Sequence, residues 1–202
     1  MAALTVDMLA AQPRWESARL AALPGRCRGD VMSAWGDNLA KRFGPDAVTR
    51  VRARLEPPLD QVRAVLAKTD WVPMHTQVVV TNAIVDEFLG GDLAALFPLL
   101  LEDMRANLSR FHRMLARSLG VGRTIKIMPK IFRKVYERGT ADVAVDGRRA
   151  RMSFTDNALF SNPTWRVLQL YAVRTLFDLT DTAGTVVGED TGTDSFAALV
   201  SW

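Results

Sequence analysis

The chain has one cysteine, two histidines and two tyrosines among its 202 residues. With Cys27 alone, an intramolecular disulfide and a cysteine-built metal cage are excluded. Neither His75 nor His112 has a cysteine or carboxylate at ligand spacing. A two-histidine metal site would need both to converge on Asp86, Glu102 or Asp103, so no metal site is expected. No Gly-x-Ser-x-Gly or Ser-x-x-Lys occurs, so no hydrolase nucleophile is signalled. The glycine pairs Gly90-Gly91 and Gly120/Gly122 follow no predicted strand, which argues against a phosphate-binding loop. Long apolar runs are missing too: the stretch 93–101 is far too short to span a membrane. The start, 1–14, carries Asp7 and no basic run, so it does not read as a secretory signal. A cytoplasmic location is the expectation that follows.

What is present is an ordinary globular balance, 49% hydrophobic and 24% charged, with a net charge of +4. So mild an excess does not call for nucleic acid as a partner. No internal repeat or low-complexity segment appears. Proline and glycine instead punctuate helices of about ten residues through the first two thirds of the chain. Helices are predicted over 4–11, 15–23, 31–43 (capped by Asp30), 46–55, 59–67, 74–89, most of 93–119, and 124–138. Pro98 is read as a kink or a boundary.

From Gly139 onward the pattern changes. Two strand-like runs, 140–145 and 149–154, flank Asp146-Gly147, a dipeptide suited to a tight hairpin turn. A helix over 163–179 follows, then strands over 184–189 and 195–202 separated by an acidic loop over 189–194. The predicted fold is α+β. A helical lobe (1–138) precedes a hairpin–helix–hairpin unit (139–202), which forms a four-stranded antiparallel sheet with the helix across it. The two parts make one compact domain.

Several motifs occur in a distinctive order: Arg42-Phe43-Gly44, Trp71-Val72-Pro73, Gly90-Gly91-Asp92, Pro129-x-x-Phe132-x-x-x-Tyr136-x-x-Gly139, and Trp165. On these the chain resembles a paralogous family of uncharacterised bacterial proteins expanded in myxobacteria. That resemblance implies a fold more than an activity. The layout is also similar, more distantly, to the haem nitric-oxide-binding and 4-vinyl-reductase domains. It implies a non-enzymatic regulatory or interaction domain, holding a small apolar ligand between lobe and sheet. A haem or gas sensor using His112, and an enzyme of unstated reaction, are the alternatives.

In those haem-binding relatives a helical histidine ligates iron and a Tyr-x-Ser-x-Arg motif grips the propionates. His112 is comparably placed, but the matching strand here reads Ala141-Asp142-Val143-Ala144-Val145. Two propionates without anchors would be costly to bury. The expectation is therefore no cofactor and no haem on His112, which Arg110 and Arg113 place on a solvated face. Trp71 and Trp165 are the expected pocket-lining pair. On the predicted helix 124–138, Lys126, Lys130, Arg133 and Lys134 fall on one side, and Ile127, Ile131, Phe132 and Val135 on the other. The basic side is a candidate surface for a protein partner. Cys27, between Arg26 and Arg28, would be reactive if exposed. The oligomeric state is not set by the sequence.

Overall fold

A computed structural model describes residues 3–29, 32, 35–62, 67 and 69–202. In chain order the elements are β1 (Ala3–Leu4), α1 (Val6–Ala10), α2 (Ser17–Ala21), β2 (Arg26–Arg28), α3 (Trp35–Phe43), α4 (Ala47–Ala53), β3 (Trp71–Pro73) and α5 (Thr76–Phe88). They continue with α6 (Phe97–Asn107), α7 (Arg110–Ile125), α8 (Met128–Val135), β4 (Thr140–Asp146), β5 (Arg149–Thr155), α9 (Pro163–Thr180), β6 (Thr185–Gly192) and β7 (Ser195–Ser201). The predicted α+β fold is present.

Helix boundaries follow proline and capping chemistry. The stretch predicted as mostly helical over 93–119 is a 3-10 turn (Leu93–Leu96), then α6 and the start of α7. Pro98 sits in the first turn of α6, where its missing N–H costs nothing, so it is a boundary and not a kink. Ser109 caps α7 by accepting from the His112 backbone N–H at 3.2 Å. The predicted helix 124–138 is also divided: Thr124 and Ile125 end α7, and α8 restarts with Pro129 in its first turn. Residues 59–62 form turns where a helix was predicted; the rest of that segment, apart from Ala67, and Asp30 lie outside the described residues. Pro73 ends a strand, β3, just ahead of the helix predicted over 74–89.

The sheet order is β1-β6-β7-β5-β4, all antiparallel. The four predicted strands are its body. The short β1 adds a fifth strand at the β6 edge, an addition two residues long that carries no sequence signal. The first hairpin pairs Asp146 with Arg149, so the turn is Gly147-Arg148, one residue later than predicted. Gly147 has φ +55, the positive angle that such a turn requires and glycine adopts without strain. Strand β6 runs on through Gly192 with a bulge, absorbing much of the stretch predicted as an acidic loop.

Helix α9 crosses the sheet and is buried along nearly its whole length. Asn162 caps it, accepting from the Trp165 N–H at 3.0 Å. Trp165 is fully buried, with ring centroids 4.5 Å from Phe160, 5.1 Å from Phe154 and 6.5 Å from Phe196. Buried Arg166 donates to the Phe160 carbonyl (2.7 Å), to Asp190 (3.1 Å) and to the Ser195 carbonyl (3.2 Å), tying the helix to β6 and β7. In the lobe, β2 and β3 pair as a small second sheet, and Cys27 also bridges to Tyr136 beyond α8.

Replacing Trp165 by Ala empties the centre of the aromatic cluster. Urea unfolding of Trp165→Ala is expected to show a loss of about 3–5 kcal/mol. A loss below about 1 kcal/mol would mean the cluster is not the packing centre.

Candidate ligand cavity

The inner stripe of α9 does not lie wholly on packed protein. Leu168, Ala172, Leu176 and Leu179 form one wall of a cavity of about 420 Å³. Facing it are residues of α6, α7 and α8, with Met152 of β5 and Gln77 of α5 closing the inner end. Three of its apolar side chains stay open to solvent: Leu115 at 42%, Ile127 at 42% and Ile131 at 45%. Large apolar groups left uncovered around a concavity mark a ligand site more than an ordinary surface.

The polar groups are few. Tyr136 donates its hydroxyl to Gln77 Oε1 at 2.8 Å, bracing α5 against the chain beyond α8. Asp103 and Gln169 are buried on the wall. The Thr124 hydroxyl, also on the wall, is buried without a hydrogen-bond partner in the protein. Such a group awaits a partner or costs stability.

His112 stands in the first turn of α7 and is part of this wall. Its Nδ1 lies 2.8 Å from Ser109 Oγ, the same serine that caps the helix. The solvated-face reading is thus incomplete: His112 is exposed, but its helix also turns Leu115, Ala116 and Leu119 onto the cavity. That i, i+3, i+4, i+7 stripe is the signal in the sequence that places His112 on an apolar face, beside the charged Arg110 and Arg113.

The other predicted site residues fall elsewhere. Neither Trp71 nor Trp165 lines the cavity. Trp71 is 44% exposed on β3, 5.8 Å from the Arg26 guanidinium, whereas Trp165 is sealed in the aromatic core. The basic residues Lys126, Lys130, Arg133 and Lys134 are exposed as predicted. The apolar side of α8 divides: Phe132 and Val135 are buried, while Ile127 and Ile131 open onto the cavity. Cys27 is fully buried, so its arginine neighbours do not make it a reactive thiol. Among the described residues, no group of three or more histidine, cysteine or carboxylate side chains could hold a metal ion.

Comparison with solved structures finds haem-NO-binding (H-NOX) domains across most of the chain. An Fe(II) unliganded H-NOX protein from K. algicida matches with a TM-score of 0.62 at 11% identity, over 86% of this chain and 95% of its own. An oxygen-binding H-NOX domain related to soluble guanylate cyclases gives 0.59 at 8% identity, over 86% and 94%. A structure concerned with haem redox potential and protein-induced porphyrin distortion gives 0.60 at 9% identity, over 87% and 99%. This chain has the fold of those domains. No family model matches it, and no curated protein does. The expectation that the chain carries no cofactor is corrected by the structural neighbours, which are haem proteins. The missing Tyr-x-Ser-x-Arg bears on the propionates, not on the apolar cavity that the fold builds.

His75, the second histidine, is buried just ahead of α5 and off the cavity wall. Burial pushes its imidazole below the ordinary value of 6.5, partly opposed by a hydrogen bond to the Leu20 backbone. The unfolded chain therefore binds this proton more readily than the folded one, and stability is lost as pH falls through 6.5. Unfolding curves between about pH 7.5 and 5.5, where carboxylates stay ionised, should show a fall in wild-type stability that is reduced in His75→Gln. Equal acid slopes in the two proteins would contradict this role.

Proposed function

We propose that this chain is a sensory domain whose cavity beside α9 would hold a haem, with His112 as the side chain that would bind its iron. The observation that carries the reading is His112 on the wall of a 420 Å³ apolar cavity, in a fold whose solved examples include haem proteins. The donor set fits. Apolar side chains of α7, α8 and α9 suit the faces of a porphyrin. Ser109 engages Nδ1 and orients the ring, so a metal would be met by Nε2. The unpartnered Thr124 hydroxyl offers a polar contact inside the cavity. The departure is at Ala141, Val143 and Val145, which cannot hold propionates. Bound there, a haem iron would supply a coordination position for a diatomic gas.

The role proposed is regulatory and non-catalytic. The cavity walls would orient a ligand, and a change at His112 would bear directly on α7. Met114, 61% exposed on that helix, is a surface that a partner protein would cover.

Titration with hemin tests the reading. A stoichiometric Soret band is expected, lost or strongly shifted in His112→Ala and restored by free imidazole. His112 is exposed, so the substitution should leave the fold intact. A wild-type spectrum indistinguishable from free hemin, or one unchanged by the substitution, would contradict it.

A further inference from the structure

We infer that Lys126 and Lys130 hold the carboxylates of the bound ligand at the rim of the cavity, in place of the anchors that Ala141, Val143 and Val145 do not supply. This rests on the haem reading above and concerns how the same cavity recognises an apolar body with an anionic edge. Lys126 and Ile127, which join α7 to α8, both have helical backbone angles (φ −64, ψ −20 and φ −88, ψ −13). The first turn of α8 is built on Ile127, whose carbonyl accepts from Lys130 N–H at 3.0 Å and Ile131 N–H at 3.2 Å. Ile127 and Ile131 form one stripe, four residues apart, that opens onto the cavity. Lys126 and Lys130 form the adjacent stripe, with Lys130 over Ile127 at i+3. Both lysines are exposed, long enough to reach along the rim, and flexible enough to keep their ammonium groups in water when nothing is bound.

Their charge is uncompensated. Arg14, Arg26, Arg42, Arg50, Arg54, Arg151 and Arg166 each pair with a carboxylate. Among the described residues, the ammonium groups of Lys126 and Lys130 make no ion pair and no hydrogen bond. The wall itself carries no lysine or arginine among the described residues. An apolar ligand with carboxylates at one edge would seat its body on Ile127 and Ile131 and its charge on the lysine stripe. Porphyrin propionates meet that description.

The test compares hemin with hemin dimethyl ester, which keeps the porphyrin and removes both charges. Binding is followed by the Soret band in wild type, Lys126→Gln/Lys130→Gln, the charge-reversed Lys126→Glu/Lys130→Glu, and the distant control Lys41→Gln. The double glutamine variant should bind hemin about five- to tenfold more weakly than wild type and bind the ester within about twofold. Charge reversal should weaken hemin further, and salt should weaken hemin more than ester. The inference is overturned, with the haem reading intact, if a His112-dependent Soret band forms equally well in the lysine variants. If wild type gives no such band with either probe, the haem reading fails and this inference with it.

Discussion

The structure depends on how α9 divides its apolar surface. Its first turns drive Trp165 into Phe154 of β5, Phe160 of the 3-10 turn Ala158–Ser161, and Phe196 of β7. Arg166 then fixes the same end with donors shared among Phe160, Asp190 and Ser195. Beyond that anchor the same stripe continues as Leu168, Ala172, Leu176 and Leu179, but there it faces a cavity. Close packing anchors one end of the helix, and at the other end Leu168, Leu176 and Leu179 are buried but border the cavity. Tyr136 and Gln77 brace the far side of the opening, and the strand bridge at Cys27 carries that brace into the lobe.

Much of the fold was legible because it is local. Gly147 marks the first turn, Asn162-Pro163 starts α9, and alternating residues set the four main strands. Strand β1 was not legible, because two residues joining an edge leave no period to detect. The divisions within 93–119 and 124–138 were hinted at by Pro98, Ser109 and Pro129, whose capping and first-turn roles outweighed continuous apolar periodicity.

The site was less legible than the fold, for a physical reason. Hydrophobic periodicity says which residues leave water, not whether protein or a ligand receives them. Trp165 and Leu168 read alike in sequence, yet one is sealed in aromatic packing and the other lines an opening. Ile127 and Ile131 read as core on α8 and prove exposed. The charged neighbours of His112 at i−2 and i+1 suggest a solvated face, but its helical neighbours Leu115, Ala116 and Leu119 determine what its face meets.

The central claim is that this cavity receives one haem through His112. Native mass spectrometry of protein purified from its own host tests it most directly. The account predicts one haem retained per chain in the wild type and none in His112→Ala. An empty wild-type chain, or a retained ligand of another mass unaffected by the substitution, would contradict it.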